Sequence, residues 1–349
     1  MAYNLSRGLQ DLGVSVVVVT SQALLERFRE LRPSAVYALP DHEGNVLRRG
    51  RAILEEVSCL RQIIAMERPD IIHVHGGLPR LLMLATDTDQ VVVETLHGVG
   101  LKKSEAFARL VHRVTDLLAA LSFDGSVFYM RRIIGDYSRL RLLRPNAVIY
   151  NSVDEDFSRS VSQAPRPPID GEYVLWCGRL DAIKGADILL RAFASIGDKG
   201  VSLVFLGDGP QRNYLEELAK SLHIDGQTTF RGYVDGLEKA RFFRHASAIC
   251  VNLANPELSQ SLLEGVFSGN PTIAFYDSEV EQIFGESVSL IDEPSPDKLA
   301  TILGEILKRR QGAKREIAGA VSLERRFLLR YFAEQYLAFY SRVKSGSSH

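Results

Sequence analysis

The sequence predicts an α/β protein with two doubly wound domains. Short runs of β-branched and other apolar residues alternate with amphipathic helical stretches along almost the whole chain, a pattern typical of βαβ units with a parallel sheet. Most runs are continuously apolar, as expected for strands that helices cover on both faces. A proline-rich segment at 160–172 separates the runs into two groups and is typical of a linker.

The first group begins with a helix. Residues 3–12 have an amphipathic pattern, and Gly13 follows as a helix C-cap. Strand-like runs lie at 14–20, 71–76, 91–97 and 147–152. A doubly wound domain normally opens with a strand, so we expect that a first strand is missing. Either the domain is built without it or, as we favour, the chain begins downstream of its natural start.

The second group follows the proline-rich segment. Its strand-like runs lie at 173–178, 202–209, 228–234, 248–254 and 271–276, and residues 323–344 form a long helical stretch with aromatic side chains on one side. We therefore predict two Rossmann-like domains. The first spans 1–160 and the second spans 170–322. We expect the helix at 323–344 to pack on the interdomain face or on the first domain.

Composition excludes several classes of protein. The chain has 349 residues, 46% of them apolar and 24% charged, with a net charge of −1. This composition is typical of globular proteins, and a net charge near zero produces no overall electrostatic field that would attract nucleic acid. Three cysteines are too few for a disulfide framework, and no apolar run is long enough to span a bilayer. We found no secretory signal pattern, and we expect a cytoplasmic protein in a reducing compartment.

A loop between strand and helix carries two cations. In "CGRLDAIKGADILLRAF" (177–193), Arg179 and Lys184 lie where a buried strand leads into a helix. The helix N-terminus carries partial positive charge and free N–H groups, so an anionic group is favoured there. Arg and Lys both bind phosphate well. By itself the pattern equally describes two solvated surface cations.

A second turn of the same kind occurs at "FLGDGPQRN" (205–213). Gly207 and Gly209 allow close backbone approach, and Pro210 suits the first position of a helix. The turn is similar to a nucleotide-binding turn, but it lacks the full G-x-G-x-x-G spacing. Many turns without a ligand have this pattern.

Histidines end two strands of the first group. His97 is the last residue of the run 91–97, and ligands of open α/β sheets bind beyond the carboxyl ends of strands. A lone histidine is more often structural. We place His73 and His75 on opposite faces of the preceding strand, so that they cannot share a metal. The "DTD" at 87–89 is interpreted as a solvated turn, and no cluster has the spacing of a metal site.

The stretch "PELSQSLLEG" (256–265) contains Glu257 and Glu264 near the start of a short apolar helix. Ser261 and Glu264 have the spacing of a capping box, which is a structural interpretation. In the functional interpretation, the free N–H groups near 259–262 hold an anion and the glutamates bind sugar hydroxyls. Both interpretations stay open on the residues alone.

Taken together, seven segments resemble the retaining nucleotide-sugar glycosyltransferases of family 4, which have the GT-B fold. They occur in the family's order and cover nearly the whole chain: "PDIIHVHG", "VETLHG", "VIYNSVD", "CGRLDAIKG", "LVFLGDGP", "FRGYV" and "SLLEGVFSGNPTIA". Each is weak alone. The resemblance implies transfer of a sugar from a nucleoside diphosphate sugar, with retention and without a metal or other cofactor, in a cleft between the domains.

The resemblance also assigns roles to residues. Arg179 and Lys184 would bind the donor diphosphate, and His97 would face the transferred sugar and assist the reaction. The helix at 323–344 would cross back and join the first domain. The remaining donor contacts would come from the turn at Gly207 and Gly209, the backbone near Tyr233, the amides of Ser261 and Leu262, and Glu264 on the ribose hydroxyls.

One departure concerns the first glutamate. The family pattern is E-x7-E, whereas this chain has E-x6-E, so Pro256 occupies the expected place and Glu257 is its neighbour. We expect either that a contracted loop lets Glu257 reach the sugar, or that this role is lost. This departure and the missing strand leave open the alternative that the chain is a non-catalytic or truncated relative of the family. A sugar-nucleotide epimerase of the same fold is a weaker alternative.

The acceptor is not readable from the sequence. A saccharide or lipid-linked acceptor fits the family. Residues 97–150 hold nine Lys/Arg against four Asp/Glu, which suits an anionic or lipid-linked acceptor and peripheral membrane contact. A solvated basic face explains the same excess equally well.

Overall fold

A computed structural model describes residues 1–39, 46–97, 106–153, 155–198, 200–312 and 327–346. The chain divides into two compact units. Unit 1 comprises Met1–Tyr150 and Leu329–His349, and unit 2 comprises Asn151–Leu328. Both contain parallel sheets covered by helices, which confirms the predicted fold class. No helix in these ranges is long and apolar enough to cross a membrane.

Helices and strands alternate along both units. The first 150 residues contain α1 (Ala2–Asp11), β1 (Val17–Ser21), α2 (Leu25–Arg29), β2 (Ala35–Leu39), α3 (Val46–Glu67), β3 (Ile71–His75), α4 (Gly77–Leu84), β4 (Val91–Leu96), α5 (Ala106–Ser122), β5 (Gly125–Phe128) and β6 (Asn146–Val148). Unit 2 contains α6 (Glu155–Gln163), β7 (Glu172–Cys177), α7 (Ala186–Ile196), β8 (Val201–Leu206), α8 (Arg212–Ser221), β9 (Thr228–Phe230), α9 (Gly236–His245), β10 (Ala248–Cys250), α10 (Gln260–Phe267), β11 (Thr272–Phe275), α11 (Ser278–Phe284), β12 (Val288–Ile291) and α12 (Pro296–Gly312). The last helix, α13 (Leu329–Gly346), returns to unit 1.

Unit 1 has two parallel sheets. One pairs β1 with β2, and the other has the order β3-β4-β5-β6, with Ile71 opposite Val91. Among the described strands, β1 pairs with β2 alone and β3 with β4 alone. The expected missing strand stays a prediction.

Helices cover both faces of the larger sheet of unit 1. On one face α1 and α13 bury apolar side chains such as Leu9, Phe332 and Tyr336 against the strands. On the other face Met83 of α4 and Ala119 of α5 pack on Val74 and Val92. Each buried side chain of this size contributes about 1.5–3 kcal/mol relative to exposure, so the aromatic face of α13 explains why the chain returns to this unit.

The described residues of unit 2 form a single parallel sheet with the order β12-β11-β10-β7-β8-β9. Its central strands are buried on both faces; Trp176 of β7 and Phe205 of β8 have no solvent exposure. Continuous apolar runs fit this position because helices lie on both faces. The strand order reverses between β7 and β10, which makes this a doubly wound sheet with a switch point at its centre.

The boundary between the units differs from the predicted linker. The division falls after Tyr150, not within 160–172. Phe157 of α6 packs edge-on against Phe243 of α9, with ring centroids 5.3 Å apart. Arg244 donates to the carbonyl of Ala164 at 3.0 Å, and Arg241 donates to the carbonyl of Arg166 at 2.8 Å. The proline-rich segment is therefore attached to α9 and belongs to unit 2.

Candidate functional site

The switch point of unit 2 positions the candidate donor residues. At this point the loops that leave two neighbouring strands, β7 and β10, diverge to opposite sides of the sheet. Ligands of doubly wound sheets bind in the crevice that this divergence opens at the carboxyl ends of the strands. Arg179 and Lys184 follow β7, and Glu257 and α10 follow β10. The fold therefore brings two separately predicted motifs to one edge of the sheet.

Lys184 and Glu257 form an ion pair. Lys184 ends a short 3-10 turn, Ala182–Lys184, and its carbonyl accepts a hydrogen bond of 2.8 Å from the Leu253 amide after β10. The two side chains are 16% and 24% exposed. Glu257 therefore neutralises Lys184 and remains accessible to a ligand. Whether it faces a sugar stays a prediction.

Arg179 is the more accessible cation. Its side chain is 68% exposed, and its Nε lies 3.7 Å from the Asp181 carboxylate. That distance is long for a hydrogen bond, and an exposed pair of this kind contributes little to stability. Arg179 can therefore turn toward an incoming anion at small cost.

Two glycines bring the turn after β8 against the loop after β7. Gly207 has φ +134°, and a Cβ there would lie 2.0 Å from the Gly178 carbonyl oxygen. At Gly209 a Cβ would lie 2.4 Å from the carbonyl oxygen of Leu180. Only glycine fits such an approach. The two glycines are thus required to hold the Arg179 loop in place, and contact with a nucleoside stays a prediction.

The N-terminus of α10 is capped differently from the structural interpretation of the sequence. Ser259, not Ser261, is the N-cap; its Oγ accepts from the Leu262 amide at 3.2 Å and from Asn252 Nδ2 at 2.7 Å. The Ser261–Glu264 capping box was therefore wrong. Because its amide is already bonded, Leu262 offers less to an anion than predicted. The amides of Gln260 and Ser261 lie in the first turn of α10, where backbone N–H groups have no carbonyl partner within the helix.

Glu264 is buried and paired with a lysine that the sequence analysis missed. Glu264 is 2% exposed, Lys239 Nζ lies 2.6 Å from Oε2, and Gln260 Nε2 donates to Oε1 at 3.1 Å. Desolvation lowers the pKa of Lys239, but Glu264, together with Cys177 and Tyr233, raises it, and the net shift is upward. To bind ribose, Glu264 would have to give up its contact with Lys239 or with Gln260. Contact with ribose stays a prediction.

Tyr233 follows β9 and is 62% exposed, with its hydroxyl 3.0 Å from Asp235 Oδ2. An exposed aromatic ring can stack on a nucleobase. The position beyond a strand end is compatible with the predicted nucleoside contact and does not test it.

In unit 1, His73 and His75 lie on the same face of β3. Their rings stack with centroids 4.3 Å apart. The prediction of opposite faces was wrong, because side chains alternate along a strand and residues two apart share a face. His73 bridges Tyr340 Oη at 2.6 Å and Thr95 Oγ1 at 2.8 Å. Burial and the neighbouring His97 lower the pKa of His73 to about 3.

His97 extends this histidine group beyond the end of β4. Its ring centroid lies 6.0 Å from that of His75 and 5.9 Å from that of Tyr129, and Tyr137 donates to its carbonyl. The pKa of His97 is lowered to about 4, first by desolvation and then by the Met1 amine and Arg80, although the residue keeps solvent access. Its imidazole is therefore neutral at pH 7 and can accept or donate a hydrogen bond. Gly98 lies outside the described residues.

A buried ion network supports the backbone at His97, and nothing in the sequence predicted it. Arg80 Nε lies 2.9 Å from Glu94, and Arg141 binds both Glu94 and Asp116, the latter at 2.7 Å. All four residues are at most 6% exposed. Arg80 and Arg141 also lie 5.7 and 5.8 Å from the ring of Tyr137, which bonds His97. The described residues contain no group of three or more His, Cys, Asp or Glu suited to a metal ion.

Comparison with known proteins decides the family. The model described as Glycosyltransferase Family 4 matches residues 1–157, and the model described as Glycosyl transferases group 1 matches residues 158–320. The chain is a family 4 glycosyltransferase of the GT-B fold. The two matches together span both units, so glycosyl transfer is the activity of the family to which the whole chain belongs.

Individual relatives are distant. A D-inositol 3-phosphate glycosyltransferase of Xylanimonas cellulosilytica is 24% identical over 74% of this chain and 68% of its own length. An uncharacterised glycosyltransferase of Methanocaldococcus jannaschii is 26% identical over 87% of this chain and 83% of its own length. Among solved structures, Anabaena HepE in complex with UDP-glucose has a TM-score of 0.78 at 17% identity, covering 98% and 94% of the two chains. This last likeness concerns the fold.

Proposed function

We propose that this glycosyltransferase moves a sugar from a nucleoside diphosphate sugar to a hydroxyl of a saccharide or lipid-linked acceptor. We propose that it does so with retention of configuration and without a metal ion. One observation carries the proposal: Arg179 and the Lys184–Glu257 pair lie at the switch point of unit 2, together with the N-terminus of α10.

The charges suit a departing diphosphate. Two cations and the first amides of α10 can stabilise the negative charge that develops as the sugar leaves, so these groups do what a divalent ion does in other transferases. Catalysis then rests on positioning and electrostatics. The phosphate oxygen that leaves can take the acceptor proton, and the neutral His97 would bond a hydroxyl of the transferred sugar.

Calorimetric titration tests the phosphate assignment. UDP-glucose is the first donor to use because the neighbour HepE binds it, followed by GDP-sugars. We expect Arg179→Ala and Lys184→Ala each to weaken donor binding roughly tenfold to a hundredfold, the equivalent of one charge-assisted hydrogen bond of about 1.5–3 kcal/mol. Arg191→Ala is the matched control, since Arg191 is an exposed cation of α7 that bonds Tyr214. Unchanged donor affinity in both loop variants would show that the assignment is wrong.

Product analysis tests the rest of the proposal. We expect the product to keep the donor's anomeric configuration by NMR, and turnover to survive EDTA. His97→Ala should lose most turnover while donor affinity stays within a few-fold; full turnover would remove His97 from the mechanism. Incubation with donor alone distinguishes an epimerase, which would change the sugar without an acceptor. A non-catalytic relative would bind donor and release no product.

A further inference from the structure

Helix α5 presents an apolar stripe to solvent. Six large apolar side chains of this helix are 40–59% exposed: Leu110, Val111, Val114, Leu117, Leu118 and Leu121. Their spacing of three, four and seven residues places them on one side of the helix, within an arc of about a third of its circumference. Soluble proteins rarely expose so many large apolar groups together.

The opposite side of α5 is the one that packs on the protein. Its buried positions are Asp116, Ala119 and Ala120. Asp116 is held by Arg141, and Ala119 packs on the sheet of unit 1. Among the described side chains of α5, the larger apolar ones are thus directed outward and Asp116 and the two alanines inward, which is the reverse of an ordinary surface helix.

The stripe continues onto the segment that packs beside α5. Leu142 and Leu143, at the end of the 3-10 turn Arg139–Leu143, are 45% and 80% exposed. Arg144 Nη2 donates to the carbonyl of Leu121 at 3.2 Å, which fixes this segment at the C-terminal end of α5. We call the six residues of α5 together with Leu142 and Leu143 the α5 face.

Cationic side chains lie on and beside the α5 face. Arg113 of α5 and Arg139 and Arg144 of the adjoining segment are exposed. The exposed Asp87 and Asp89 lie at the C-terminal end of the helix, where they line a pocket with Ser122 and Phe123. An apolar helix face with arginines beside it suits an interface with anionic lipid. A second copy packed on the same face would bring the arginines of both copies into one interface, and like charges oppose such pairing.

We propose that the α5 face binds the surface of an anionic membrane, with its apolar side chains in the headgroup–acyl boundary and its arginines on lipid phosphates. The inference goes beyond the proposed function, because it uses no residue of the donor site and would hold for any donor. It names the residues through which peripheral membrane contact occurs.

Vesicle flotation of the full chain tests the proposal. We expect co-flotation with phosphatidylcholine vesicles that contain phosphatidylglycerol, and much weaker binding to phosphatidylcholine alone. Arg113→Gln with Arg139→Gln should lower the partition coefficient about 30-fold, since each cation contributes about fivefold. Raising the salt concentration should weaken binding further. Failure to float with anionic vesicles would overturn the proposal.

A triple variant tests the apolar part. Val114→Gln, Leu118→Gln and Leu121→Gln together should reduce binding at least about tenfold, because each loses a buried apolar side chain at the interface. Leu54→Gln is the matched control: Leu54 is 70% exposed on α3, and α4 packs between α3 and α5. Equal flotation of the triple variant and the control would overturn the proposal.

Two further measurements distinguish membrane binding from a donor-site effect and from self-association. Donor affinity of the triple variant should equal that of the parent chain, so this proposal and the donor assignment can fail independently. Sedimentation equilibrium without vesicles should show no self-association that depends on the α5 face. A dimer that the triple variant abolishes would identify a second copy as the occupant and overturn the membrane proposal.

Discussion

Replacing Lys239 with methionine should destabilise unit 2 strongly. Methionine keeps the apolar stem of the lysine but removes its charge, and Glu264 then stays 2% exposed with Gln260 as its one remaining side-chain partner in the described structure. The charge of Lys239 also faces the rings of Phe157 and Phe243, at 5.9 and 5.7 Å.

The magnitude follows from the geometry. At 2.6 Å and an effective dielectric constant of about 20, the pair attracts with about 6 kcal/mol. Desolvation of the two charges offsets most of that gain, so the intact pair contributes little net stability. Removing one partner leaves the desolvation cost of the other uncompensated, at about 3–5 kcal/mol. Loss of the cation–π contacts adds about 0.5–1 kcal/mol.

The protein contains a convenient probe for this experiment. Trp176 is the only tryptophan in the chain and is fully buried in β7, so its fluorescence in urea reports unfolding of unit 2. Lys298→Met is the matched control, because Lys298 pairs with Asp292 on the surface of the same unit; its midpoint should not change. Lys239→Met with Glu264→Gln should recover most of the lost stability, since no unpaired charge remains.

If Lys239→Met shifts the midpoint no more than Lys298→Met, the pair is not buried in solution. Glu264 would then be free to bind a ligand without giving up a partner. The double variant distinguishes lost pairing from lost packing: packing loss would persist in it, whereas charge loss would not.

Two further predictions concern unit 1, whose unfolding is the part of the far-UV circular dichroism change that Trp176 fluorescence of unit 2 does not report. Arg141→Met leaves Glu94 and Asp116 buried without their shared cation and should cost about 3–5 kcal/mol; an unchanged urea profile would contradict the buried network. Burial lowers the pKa of His73 to about 3. Between pH 6.5 and about 3, His73 is therefore protonated in the unfolded chain and neutral in the folded chain. His73 should therefore contribute a loss of about 2 kcal/mol in stability between pH 7 and 5, and the lowered pKa values of His75 and His97 add to this loss. His73→Gln should make the dependence less steep, and an equally steep profile in that variant would refute the assignment.

Apolar runs in the sequence predicted the positions of buried strands more accurately than the residues at which those strands end. The run 248–254 contains β10, but the strand ends at Cys250. Asn252 has φ +44°, and the Leu253 amide turns to the carbonyl of Lys184. Periodicity cannot distinguish a buried strand from the buried loop that follows it. Strands β2, β5 and β12 were not predicted, although they are as long as β1, β3 and β11, which were.

The contacts that shape the candidate site depend on pairs far apart in sequence. Ser259 and Ser261 both lie at the start of the same apolar helix, and the bond from Asn252 to Ser259 selects the cap. Lys239 lies in the charged stretch "DGLEKARFFRH", typical of an exposed helix. Its burial follows only from the position of Glu264. Arg141 similarly resembles one of several surface arginines until the fold brings Glu94 and Asp116 beside it.

The two lysine–glutamate pairs of unit 2 differ in a way that bears on the proposed reaction. Lys239 and Glu264 have side chains 15% and 3% exposed, so separating them would leave an unpaired charge in the interior. Lys184 and Glu257 keep 16% and 24% exposure, and water can solvate either charge as the pair opens. On the proposed function, a diphosphate would draw Lys184 away from Glu257 and leave that carboxylate free to accept hydrogen bonds from the sugar. The shortened E-x6-E interval is then compatible with function, because the position of Glu257 is set by Lys184 rather than by its distance from Glu264.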